Sequence, residues 1–218
     1  MVSCTTTTPM WRLWPTASPP SAKSPRPCVR PLPSHLTMHY LPTTSICAFE
    51  PGMTTNAERP LPNVGIIGVG AMGGAMATRL LDCGLRVHVH DIDPARQHHL
   101  HTQGASTHPH PGAVAQAATF LLVVVVDASQ TLAVLQGPNG LLSALQAHHT
   151  VVFCSTISPE DMQQACQAVV AASASALDAP MSGGPHRARN GTLSMMLAGP
   201  CAVIEESASV LRHLNAHQ

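Results

Sequence analysis

Charge is scarce in this chain. Only 10% of its 218 residues are Asp, Glu, Lys or Arg, and the 11 basic side chains balance the 11 acidic ones. There is no basic excess to attract nucleic acid and no acidic excess to repel it. Lysine is all but missing, Lys23 being the only one. Long apolar runs are missing too. The longest, Phe120 to Val126, falls far short of the ~20 residues a membrane span needs. The chain therefore reads as soluble, with no membrane partner. Cysteines 4, 28, 47, 83, 154, 166 and 201 never pair as CxxC, which argues against a zinc site and a disulfide framework. No metal is expected, and the scattered thiols fit a reducing, cytoplasmic setting.

Composition divides the chain near residue 58. Residues 1–52 hold ten of the twenty prolines, both tryptophans and the only tyrosine, and no acid before Glu50. Such Pro-, Ser- and Thr-rich sequence lacks the apolar periodicity that offsets ordering entropy, so residues 1–58 are expected to form a disordered tail. Three readings of the tail stay open: a transit peptide, a Pro-rich ligand segment, or sequence that is not native. Prolines at 15, 19, 20, 25, 27, 31 and 33 break the amphipathic helix of a transit peptide. The third reading is favoured, with Met53, ten residues before the first strand, as the natural start of the sequence.

Residues 59–218 read as one domain of alternating strands and helices. Val64–Val69 is a β-branched strand, and Ala71–Cys83 is a run of good helix formers ended by Gly84. Leu85–Asp91 alternates as a second strand. Asp93-Pro94 is an N-cap followed by proline at the first helical position, opening a helix to about His101 that Gly104 ends. Phe120–Val126 is a fully apolar strand, as a parallel sheet covered on both faces requires. Helices near 129–136 and 139–147 lead to a strand at Thr150–Cys154, and Ser158-Pro159-Glu160-Asp161 opens another helix. Strands at Ala176–Asp178 and Thr192–Leu197 and a helix at Cys201–Leu214 complete the pattern. Regular β-α alternation predicts an α/β fold, a Rossmann-type doubly wound parallel sheet over residues 62–200.

The chemistry-bearing motif is Gly68-Val69-Gly70-Ala71-Met72-Gly73, a G-x-G-x-x-G that follows a strand and opens a helix. Gly68 permits the strand-to-helix turn, Gly70 lets a pyrophosphate approach the backbone, and Gly73 lets helix and sheet pack closely. Asp91 ends the next strand 18 residues after Gly73, where an acid binds the hydroxyls of the adenosine ribose. A carboxylate there repels a 2′-phosphate, and no arginine follows directly, Arg96 standing five residues on. These residues predict NAD rather than NADP. Asp93 and Ser158 read as helix caps. His98, His99, His101, His108 and His110 are irregularly spaced and read as solvated surface rather than metal ligands.

Further motifs carry a resemblance. Gly68–Ala77 reads GVGAMGGAMA, Ser155–Pro159 reads STISP, and Asp178–Gly184 reads DAPMSGG, followed by Ala188, Gly191, Thr192 and Leu193. In this order they resemble the 3-hydroxyacid dehydrogenase family over residues 62–214, and the run at 122–130 looks most like its L-threonate branch. The resemblance implies NAD bound by Gly68–Gly73 and Asp91, with Val126 and Asp127 against the cofactor and Thr156 near the nicotinamide. It implies that Ser182, Gly183 and Gly184 hold the carboxylate of a small hydroxyacid. Glycines do leave N–H donors open to an anion, although Ser182-Gly183-Gly184 alone reads as an ordinary turn. Pro185, His186, Arg187 and Arg189 make this loop more basic than expected. The family's acid/base lysine lies on a helical C-terminal domain that builds a homo-oligomer, and it has no counterpart before Gln218. By the resemblance, that domain is absent here, there is no catalytic residue within the chain, and dehydrogenase activity is negligible. The alternative is a non-catalytic NAD-binding fragment.

Overall fold

The computed structural model describes residues 62–215. The expectation of a disordered tail over residues 1–58 lies outside them. β1 (Val64–Ile67) is buried along its whole length, as a central strand covered on both faces must be. α1 (Ala71–Asp82) carries the chain to β2 (Val87–His90), and α2 (Pro94–His101) to the edge strand β3 (Ser106–Thr107). α3 (Pro111–Ala117) returns it to β4 (Phe120–Val123). α4 (Ala128–Gln136) leads to β5 (Thr150–Phe153), and α5 (Pro159–Ala171) to β6 (Ser175–Asp178). The six strands pair in parallel in the order β3-β2-β1-β4-β5-β6. This is the doubly wound α/β sheet that the alternation predicts. Its winding reverses between β1 and β4, which opens a crevice at their carboxyl ends.

Strand residues alternate between two apolar cores. Ile66, Val89, Leu122, Val152 and Leu177 face one side, where Met76 and Leu80 of α1 and Leu100 of α2 cover them. Ile67, Leu121, Val123, Val151 and Phe153 face the other, under Val114, Leu135, Met162 and Val169. Burying each such side chain contributes about 1.5–3 kcal/mol, which is what holds the crevice's rim in place. The predicted starts and stops hold. Asp93 accepts from the Ala95 N–H at 2.9 Å, and Ser158 accepts from the Asp161 N–H at 3.1 Å. Gly84 ends α1 at φ +80°.

The structure departs from the sequence reading in several places: the edge strand β3 was not expected, and the strand expected over Phe120–Val126 ends at Val123. The expected helix over 139–147 shrinks to a 3-10 turn at Leu141–Ser143. Asn139 takes a left-handed φ of 59°, and the His149 ring accepts the Gln146 N–H at 2.8 Å, closing the segment before β5. The expected strand Thr192–Leu197 shrinks to β8 (Ser194–Met195), antiparallel to β7 (Met181–Ser182) and outside the main sheet. The parallel sheet therefore ends at Asp178, not near residue 200. Two helices, α3 and α6 (Gly184–Asn190), had no counterpart in the sequence reading. α3 is capped by His110, whose Nδ1 accepts from the Ala113 N–H at 3.1 Å, an unusual cap. α6 begins directly after Gly183, at φ +131°, inside a stretch that reads as a turn. α7 (Cys201–Leu211) closes the described chain, packing Val210 and Leu211 into the first core.

Candidate functional site

The fingerprint loop is shaped by the absence of side chains. Gly68 leaves β1 at φ +90°, and a Cβ there would lie 2.3 Å from the Val124 carbonyl oxygen. A Cβ on Gly73 would lie 2.0 Å from the Gly68 carbonyl oxygen. α1 can approach β1 and β4 this closely only through glycine. Gly70 is different: a Cβ there meets nothing nearer than Arg96 Nη1 at 3.5 Å, so its outer face is open.

α1 starts at Gly70 with no side-chain cap and no acid in its first turn. Its first intrahelical bond runs from the Gly74 N–H to the Gly70 carbonyl at 2.8 Å, leaving the N–H groups of Ala71, Met72 and Gly73 without helical acceptors. Unpaired donors at the positive end of a helix, beside an open glycine, fit the pyrophosphate of a dinucleotide.

Asp91 is 6% exposed, and it braces this loop. Its Oδ2 accepts from the Val69 N–H at 2.7 Å and its Oδ1 from the Asp93 N–H at 2.9 Å. Gln97 Nε2 donates to the Asp91 carbonyl at 2.7 Å. The acid that the spacing assigns to the ribose thus also positions the loop. Arg96, set aside in the sequence reading, lies with Nη1 3.7 Å from Asp91 Oδ1 and Nε 3.3 Å from Asp93 Oδ2.

The remaining predicted residues stand along the carboxyl ends of the strands. Val126 is 78% exposed after β4. Asp127 caps α4, accepting from the Gln130 N–H at 2.8 Å. Thr156 is exposed after β5. The neighbouring Ser155 is buried, and its hydroxyl donates to the Val125 carbonyl at 2.6 Å, joining the two strand tips. Ser182 on β7 is exposed, and Gly183 and Gly184 follow with φ of +131° and +71°. Asp178, at the end of β6, has a buried, unpartnered Oδ1. Burial holds its carboxyl above the usual range, against the opposing pull of the Ala179 N–H. Burial, and then Asp178, push the Cys154 thiol up to about 12, so it is no nucleophile.

The histidines serve other ends. His88 Nδ1 and His108 Nε2 lie 3.0 Å apart across the β2–β3 edge, and burial first, then the other ring, lowers the His88 pKa. Among the described residues no three His, Cys, Asp or Glu side chains gather as a metal site.

A glycine-lined, uncapped helix start at the switch point of a parallel sheet is the architecture of a dinucleotide-binding domain. The chain belongs to the family of the NAD-binding domain of 6-phosphogluconate dehydrogenase, whose model matches residues 63–217. It is similar to an L-threonate dehydrogenase of Cupriavidus necator, 34% identical over 68% of this chain and 50% of that protein. It is similar also to a 3-hydroxyisobutyrate dehydrogenase of Pseudomonas aeruginosa, 32% identical over 71% of this chain and 52% of that protein. Among solved structures, Psf3 in complex with NADP+ and 2-OPP superposes with a TM-score of 0.68 at 32% identity, over 70% of this chain and 54% of that one. The chain spans about half the length of these relatives. A nicotinamide dinucleotide is the cofactor these likenesses support. No helix among the described residues is long and apolar enough to cross a membrane.

Proposed function

We propose that this chain holds the NAD of a cytoplasmic oxidoreductase acting on the CH–OH group of a small hydroxyacid, of the L-threonate or 3-hydroxyisobutyrate type. We propose also that these 218 residues alone do not turn that substrate over. The observation that carries the reading is the fingerprint loop, whose glycines admit no Cβ at Gly68 and Gly73 and whose Val69 N–H is tied to Asp91 at 2.7 Å. In it the N–H groups of Ala71 and Met72 face the pyrophosphate, and the spare lone pairs of Asp91 accept from the ribose hydroxyls.

Val126, Asp127 and Thr156 form the shelf beside the nicotinamide. The Ser182 hydroxyl and the N–H groups of Gly183 and Gly184 hold the substrate carboxylate. Bound NAD supplies the hydride acceptor. Oxidation of the alcohol also needs a base within hydrogen-bond reach of its hydroxyl, worth about 10²–10⁴-fold in rate. The only lysine is Lys23, and no lysine stands among the described residues. His186, four positions past Ser182, is exposed and near Asn190 rather than held by a carboxylate.

The test pairs NADH titration with an assay of NADH formation from L-threonate, D-glycerate and 3-hydroxyisobutyrate, using the full chain. Saturable NADH binding without NADH formation is the expected result. Turnover in the ordinary enzyme range of ~1–10³ per second contradicts the inactivity. Absence of NADH binding contradicts the cofactor assignment.

A further inference from the structure

Asp91 is not a bare carboxylate. Each of its oxygens already accepts a backbone N–H, from Val69 at 2.7 Å and from Asp93 at 2.9 Å, and Arg96 stands 3.7 Å from Oδ1. The same guanidinium reaches Asp93 Oδ2 at 3.3 Å, so one cation lies between Asp91, the acid expected to repel a 2′-phosphate, and the helix cap Asp93. Its Nη1 is also the nearest group to the open face of Gly70. The Arg96 side chain is half exposed and lines a groove of about 460 Å³ between α1 and α2, together with Gly70, Thr78 and His99. Ile92, between the two acids, is almost fully exposed and does not cover the guanidinium.

We propose that Arg96 is the specificity-determining residue of the cofactor site, and that through it the site accepts NADP as well as NAD. The inference rests on the reading that the fingerprint binds a dinucleotide. An exposed ion pair is only weakly stabilising, so the guanidinium exchanges readily from Asp93 to a stronger partner. A phosphate is that partner, because guanidinium and phosphate form two parallel charge-assisted hydrogen bonds. With NAD bound, Arg96 stays on the two acids, and the ribose hydroxyls donate to Asp91. With NADP bound, the 2′-phosphate takes the guanidinium, and Asp91 keeps the two N–H donors that offset its charge.

Calorimetric titration of the full chain with NADH and with NADPH tests this, alongside Arg96→Gln and Arg96→Lys. The native chain is expected to bind both dinucleotides within about tenfold of each other. Arg96→Gln should lower the NADPH-to-NADH affinity ratio by about tenfold or more, as loss of a charge-assisted contact to the phosphate implies. Arg96→Lys should fall between, since it keeps the charge but loses the paired geometry. A native preference for NADH beyond about a hundredfold overturns the proposal. So does an NADPH-to-NADH ratio unmoved in Arg96→Gln. Failure of either dinucleotide to bind at all overturns the underlying cofactor reading with it, a result distinct from binding with an unmoved ratio.

Discussion

At the β1 end of the crevice, backbone is packed so closely that a Cβ on Gly73 would sit 2.0 Å from a carbonyl oxygen. At the β6 end, a Cβ on Gly184 would meet nothing within 4 Å. The fingerprint loop is held from below by β4, from the side by Asp91, and from behind by α1. The Ser182–Gly184 stretch runs from a two-residue strand pair into the short helix α6, with Ser182 and Gly183 exposed to solvent. The first geometry is fixed before any ligand arrives, so little ordering entropy is left to lose on binding. The second offers donors without fixing them. The chain should therefore behave as a competent cofactor binder and a poor substrate binder.

Substitutions at the two ends should separate them sharply. Gly73→Ala has the largest expected effect, because its methyl group collides with backbone that cannot yield. We expect a loss of about 3 kcal/mol or more, read from urea unfolding. Ser155→Ala removes the bond between two strand tips and leaves the Val125 carbonyl unpaired. It should cost about 1–2 kcal/mol by the same measurement and weaken NADH binding several-fold. Equal stability of Ser155→Ala and the native chain would show that the tip bond is incidental.

The β6 end has its own signature, in pH rather than packing. Burial raises the Asp178 carboxyl above its unfolded value. Its favourable contribution is thus present below the ordinary carboxylate range and lost as pH rises through the folded value. Asp178→Asn should accordingly gain stability relative to the native chain between pH 4 and pH 7, by less than the Ser155→Ala loss. A urea-midpoint difference that is flat across this range contradicts the assignment. Ser182→Ala should be smallest of all, within about 0.5 kcal/mol, since an exposed hydroxyl with no partner contributes little to folding.

The same contrast governs what the sequence could reveal. The fingerprint was legible because Gly68 and Gly73 tolerate no side chain, Gly70 keeps the helix start open, and an acid stands at the next strand's tip. Strands β1, β4 and β5 were legible through their runs of Val, Ile, Leu and Phe, and β2 through its alternation of Val and His. α3 was not, because His110 does a cap's work with an imidazole. Nor was the bond from Ser155 to Val125, which spans 30 positions and leaves no periodic trace. The reach of Arg96 to Asp93 is an i,i+3 pair that spacing does encode, whereas its approach to Asp91 depends on the turn from β2 into α2, which spacing does not. The strand at β8 was misread as longer and part of the main sheet, and β7 was read as a turn, because a two-residue strand carries too little pattern to place.

Gly70→Asp tests the central claim most directly. Aspartate is among the best N-cap residues and suits the positive end of a helix, and the face of Gly70 has room for it. The variant should therefore fold with a thermal midpoint equal to or above that of the native chain. Its carboxylate would occupy the place assigned to the pyrophosphate. Titration with NADH should then show affinity reduced by about a hundredfold or more, as two mutually repelling anions in one cradle require. A Gly70→Asp chain that is equally stable and binds NADH as tightly as the native one would contradict the account.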